Sequence, residues 1–154
     1  LEGVASYIKS KSDKPVAIAP ALWRGLPADL CGKWFERLFK RTPSIDNLYL
    51  QDIGGRCLVD FDVDLPNWYA EIKKACDATN VKFGVDIESF KSCWCPNVDY
   101  KAKDWSELKD QLMVAGLFTE YITNFSWVTF KKGTNNYDGY KAYLKENNLL
   151  PKGK

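Results

Sequence analysis

Val81-Lys-Phe-Gly-Val-Asp-Ile-Glu88 is the stretch on which the fold turns. Its apolar residues alternate, so Phe83, Val85 and Ile87 belong to one face while Gly84, Asp86 and Glu88 belong to the other. Period two marks a strand, and a run this apolar suits a parallel sheet packed under helices. Two carboxylates then project from one strand end.

The segments on either side read as helices. Upstream, Pro66 opens a helix, a position where its missing N–H would be unpaired in any residue. Trp68, Ile72, Ala75 and Cys76 mark the buried side of that helix. Downstream, a loop holding Cys93-Trp94-Cys95-Pro96 leads to a helix in which Asp104 and Glu107 have capping-box spacing. Leu108, Leu112, Ala115 and Phe118 supply its apolar stripe.

The same succession of apolar run and helix recurs along the chain. Pro15-Val-Ala-Ile-Ala-Pro20 precedes a helix over 28–41 with Leu30, Trp34, Leu38 and their neighbours at helical spacing. Asp46-Asn-Leu-Tyr-Leu-Gln51 precedes the Pro66 helix. Glu120-Tyr-Ile-Thr-Asn-Phe-Ser-Trp-Val128 leads through a turn at Gly133 to a last helix carrying Tyr137, Tyr140, Tyr143 and Leu144. Residues 1 to about 12 read as a helix ahead of the first strand.

Strand starts fall near positions 16, 47, 82 and 121, about the length of a βα unit apart. The expectation is one domain over 1–154: an α/β fold of four βα units preceded by a short helix. Four such units form either an open flavodoxin-like sheet or half of an eight-stranded barrel. No nucleotide-binding glycine motif is present, and the loops after strands two and three are long and rich in Asp, Trp and Cys. These loops favour a parallel (βα)4 half of a TIM-type (β/α)8 barrel, with any site at the carboxyl ends of the strands.

Composition narrows the chemistry. With 22 basic and 20 acidic side chains spread along 154 residues, no basic stripe exists to follow a phosphate backbone, so nucleic acid is not an expected partner. No apolar run approaches the roughly 20 residues that cross a bilayer, and no membrane partner is expected. Histidine is absent, which removes the usual zinc ligand and the usual base of a Ser or Cys nucleophile. Acid–base chemistry would fall to carboxylates. Five cysteines (Cys31, Cys57, Cys76, Cys93 and Cys95) favour an oxidising setting, extracellular or in the secretory pathway. A chain that starts at Leu1 rather than Met reads as one end of a processing or cutting event.

The candidate catalytic residues are Glu88, Asp52 and Asp86. Asp52 ends the strand beside Glu88, just before the close-approach turn Ile53-Gly-Gly55. Two carboxyl groups flanking one bond are what glycoside hydrolysis needs, about 5–5.5 Å apart for retention and about 6.5–9.5 Å for inversion. The bland reading has these acids bonding loop amides or facing water. Gln51 and the strand-end tryptophans Trp23, Trp94 and Trp127 are candidates for holding a sugar, whose faces stack on flat rings, although each tryptophan is as readily explained by packing.

Asp60, Asp62, Asp64 and Glu71 imitate a calcium-loop spacing, but Leu65 stands where the sharp turn needs glycine, so no metal and no cofactor are expected. Cys93 and Cys95 lack partners for a zinc site, and a disulfide from Cys57 to one of them is the more physical pairing. Asn124-Phe-Ser126 is a formal glycosylation sequon inside an apolar strand, where burial of the acceptor is expected.

Taken in order, Ala17-Ile-Ala-Pro20, Leu50-Gln-Asp-Ile-Gly-Gly55, Asp86-Ile-Glu-Ser-Phe90, Ile122-Thr-Asn-Phe125 and the Tyr-rich last helix resemble a known family. The chain resembles the carboxyl-terminal half of the domain of unknown function 4434, a glycosidase-like TIM barrel. The resemblance covers nearly the whole chain and implies a sugar-related barrel, with Asp52 and Glu88 at matching positions. Cys57, Cys93 and Cys95 lie outside the family's pattern. Four strands do not close an eight-stranded barrel, so a separate chain, a homodimer of half-barrels or further polypeptide would have to cover the edges.

Three functions follow as expectations: a glycosidase acting on carbohydrate through Glu88 with Asp52 or Asp86, a non-catalytic lectin-like protein, or the structural half of a larger barrel.

Overall fold

The computed structural model describes residues 1–21, 26–52, 64–91, 101–125 and 129–149. In chain order the elements are α1 (Glu2–Lys11), β1 (Ala17–Ile18), α2 (Ala28–Arg41), β2 (Asn47–Gln51), α3 (Asp64–Asp77), β3 (Lys82–Glu88), β4 (Phe90–Lys91), β5 (Lys101–Ala102), α4 (Trp105–Gly116), β6 (Ile122–Phe125) and α5 (Asn135–Glu146).

β1, β2, β3 and β6 form one parallel sheet in that spatial order. Sequence order and spatial order coincide, so the reversal that marks a doubly wound sheet is absent among the described strands. The crossover helices pack in succession, α2 on α3, α3 on α4 and α4 on α5. Leu48 and Leu50 of β2, with Phe83, Val85 and Ile87 of β3, are buried in the same core as Phe35, Tyr69, Ile72 and Leu108 of those helices. α2 and α3 approach closely at Gly32, where an added Cβ would stand 2.8 Å from the main-chain oxygen of Glu71.

Helix ends set where strands begin. Asn80 closes α3 in the left-handed conformation, φ 57°, and the Val81 N–H returns to the Cys76 carbonyl at 3.0 Å. β3 starts at the next residue. Glu107 reaches back to the Asp104 N–H at 3.1 Å and secures the start of α4, as the spacing predicts.

Several local expectations change. The buried stripe of α2 is Cys31, Phe35 and Phe39, whereas Leu30 and Trp34 are 48% and 55% exposed. Both sets have helical spacing, and the sequence alone does not say which turns inward. Pro66 is the third residue of α3, still within the first turn where N–H groups lack helical partners. β1 is short because Pro15 and Pro20 have no N–H, although an isolated bridge from Ala21 to Gln51 carries its line along β2. β4 and β5 form a small antiparallel pair that the loop reading omits. Asn124 is exposed rather than buried, on β6, the outermost described strand on that side of the sheet.

Cys31 and Cys76 are buried and unpaired. The disulfide expected from Cys57 to Cys93 or Cys95 lies outside the described residues. No helix among the described residues is long and apolar enough to cross a membrane.

Candidate active site at the strand ends

The register of the sheet brings Gln51, Asp86 and Thr123 level with one another on β2, β3 and β6. Parallel strands lie about 4.8 Å apart, so the three side chains form one short polar row across the face opposite the apolar core. Thr123 donates its hydroxyl to Asp86 Oδ1 at 2.9 Å. Gln51 and Asp86 are half-buried and Thr123 is exposed. Two residues lower on the same face, the Tyr49 ring lies across Gly84. A Cβ there would come within 2.7 Å of Tyr49 Cδ1 and 2.9 Å of the Tyr121 carbonyl, so the ring occupies space that only glycine leaves open.

Glu88 stands two residues beyond Asp86 on that face, at the end of β3, and is 3% exposed. Their Cα atoms are separated by about 6.6 Å at the ordinary strand rise.

Asp52 is placed differently. It follows Gln51, so its side chain turns to the helix layer, where it is fully buried. Its Oδ1 accepts the Glu88 N–H at 3.3 Å, and its Oδ2 accepts the amide of Gln111 from α4. The other end of Gln111 accepts from Lys103 Nζ at 2.6 Å. Lys103 and Gln111 are themselves 2% and 1% exposed. A buried chain of polar groups thus runs from the base of α4 through Asp52 to the main chain of Glu88. Burial pushes the Tyr69 phenol upward, and the negative charge of Asp52 adds to this. The Tyr69 hydroxyl has no hydrogen-bond partner among the described residues.

A second buried set locks the segment after β3. Asn136 is fully buried and donates its amide to the carbonyls of Ser89 at 3.1 Å and Thr129 at 3.0 Å. Its oxygen accepts from the Thr134 hydroxyl at 2.7 Å and the Tyr137 N–H at 2.8 Å. The Ser89 carbonyl also receives the Lys103 N–H at 3.0 Å, which draws β5 and the start of α4 to the same strand end.

Of the sequence candidates, Gln51, Asp52, Asp86 and Glu88 all gather at the ends of β2 and β3. Trp23, Trp94 and Trp127 lie outside the described residues. The sequence reading missed Gln111, Lys103, Asn136 and Thr123. Gln111 carries a usable signal, since it is a polar residue within the apolar stripe Leu108, Leu112 and Ala115. No group of three or more metal-ligating side chains occurs among the described residues.

No protein-family model and no curated protein matches the sequence. Among solved structures, the chain is similar to one described as "a putative alpha-L-fucosidase" from Bacteroides thetaiotaomicron, with a TM-score of 0.77 and 16% identity. The alignment takes in 97% of this chain and 49% of that one, so the chain spans about half the length of the protein it matches. At this identity the likeness shows a shared α/β fold.

Proposed function

We propose that the chain is one half of a (β/α)8 barrel of the glycoside-hydrolase kind and acts on a carbohydrate through Asp86 and Glu88. The observation that carries this reading is the row Gln51, Asp86 and Thr123 with Glu88 beside it, at the carboxyl ends of a sequentially ordered parallel sheet. Barrel enzymes keep their chemistry at that end. Parallel sheets are ordinarily covered on both faces, and closing into a barrel covers the second one.

The matched protein is about twice as long, which supports a second half completing the wall. The family resemblance and a secreted setting belong to the same reading, the latter resting on the five cysteines. In this reading Glu88 is the acid/base, Asp86 the second carboxylate and Asp52 a positioning residue, because both Asp52 oxygens already serve buried donors.

The near-complete burial of Glu88 favours a second reading, in which the barrel binds glycans without cleaving them. The test is hydrolysis of 4-nitrophenyl α-L-fucoside, α-D-glucoside and β-D-glucoside by the wild type, Glu88→Gln and Asp86→Asn. Turnover by the wild type that each substitution lowers at least a hundredfold supports the enzyme. Undiminished turnover by both variants removes the assignment. Saturable binding of L-fucose or glucose without nitrophenol release selects the lectin-like reading.

A further inference from the structure

We infer that Thr123 is a positioning residue for the Asp86 carboxylate, which rests on the reading of Asp86 as a group that meets sugar. Thr123 comes from the neighbouring strand β6 and sits level with Asp86 in the parallel register. Its hydroxyl lies 2.9 Å from Asp86 Oδ1 and 3.4 Å from the Val85 carbonyl, so the carboxylate is the nearer acceptor. The strand register sets the Thr123 Cβ beside Asp86, so a hydroxyl on that carbon reaches the carboxylate.

Asp86 Oδ2 makes no hydrogen bond among the described residues. Holding one oxygen leaves the other to accept a hydroxyl of a bound sugar. On the opposite side of Asp86, Gln51 is its partner in register on β2 and offers both an amide donor and a carbonyl acceptor to the same ligand. Thr123 is exposed, so removing its hydroxyl leaves no buried polar group unpaired and acts on the site with little effect on the fold.

The test compares the wild type, Thr123→Val and Thr123→Ser for hydrolysis of the same three nitrophenyl glycosides, with the melting temperature of each protein measured in parallel. Where the wild type binds without turnover, L-fucose and glucose affinities replace rates. The expected result is a loss of about tenfold in kcat/KM or affinity for Thr123→Val at near wild-type melting temperature, with most of it restored in Thr123→Ser. Wild-type behaviour of Thr123→Val overturns the inference alone, leaving the assignment of Asp86 intact. Equal losses in Val and Ser variants also overturn it, because a loss shared by the variant that keeps the hydroxyl does not come from the hydroxyl. A wild type with neither turnover nor binding overturns the parent reading and this inference together.

Discussion

Asp52 Oδ1 accepts the main-chain N–H of Glu88 at 3.3 Å, one strand over, at the level where β2 ends and β3 continues. The preceding ladder bond is ordinary, from the Asp52 N–H to the Asp86 carbonyl at 3.4 Å. At the next step a side chain takes the place that a main-chain carbonyl would fill. The end of β3 is thereby held in position beyond the last residue of β2, and Glu88 is held with it.

Removing this acceptor leaves the Glu88 N–H and the Gln111 amide short of a partner in a dry interior. Asp52→Ala is expected to lower the unfolding free energy by roughly 2–4 kcal/mol. Gln111→Leu should act through the same chain, so the double variant should cost clearly less than the sum of the two. Urea unfolding of the four proteins measures both statements, and additive losses would show that the groups do not act as a unit.

Tyr69 lies beside this chain with its hydroxyl buried and without a hydrogen-bond partner among the described residues. Since that group gives up hydration without gaining a bond, Tyr69→Phe is expected to be neutral or to stabilise by up to about 1 kcal/mol. A loss above 1 kcal/mol in urea unfolding would mean that the hydroxyl has a role its surroundings do not display.

Gly84 is predicted to be irreplaceable for a steric reason. Gly84→Ala meets both the Tyr49 ring and the Tyr121 carbonyl and should cost about 1–3 kcal/mol. Tyr49→Leu in the same chain should recover part of the loss, leaving the share due to the rigid main chain. Thermal melts of the two single variants and the double variant give the coupling.

Cys76 sets an alkaline limit. Desolvation pushes its thiol up to about 12, and the charge of Asp77 adds to this while Lys73 opposes it. An unfolded chain releases that proton near the ordinary value of 9.0, whereas the folded chain keeps it. Between pH 9 and 12 the unfolded state therefore gains by ionising, and stability falls as pH rises, by about 1 kcal/mol per pH unit from this group. Cys76→Ala should be less stable at pH 7 through lost packing, yet lose less stability than wild type between pH 9 and 11. Parallel slopes for the two proteins over that range would contradict the assignment.

Much of the frame is legible in the sequence because it depends on local periodicity. Alternation in 82–88, the acid–Glu107 spacing at Asp104 and the recurrence of βα units place the strands and helices near where they lie. The inward side of α2 is not legible, since Leu30, Trp34 and Leu38 share the spacing of Cys31, Phe35 and Phe39, and only packing against α3 decides between them. At the site, Asp86 and Glu88 follow from strand alternation. Asp52 falls on the other face, at the parity of Leu48 and Leu50, but its partner Gln111 is not legible, because residues 59 apart in sequence meet only in the folded chain. Thr123 is equally silent, being one threonine in an apolar strand until the register sets it beside Asp86.

We propose above that this sheet is half of a closed barrel. The native mass of the purified protein beside its denatured mass decides whether the missing wall is there. The expected native particle contains a second half of similar size, supplied by further polypeptide, a different chain or a second copy. A native particle of 17.6 kDa, one chain of 154 residues and nothing more, would contradict it.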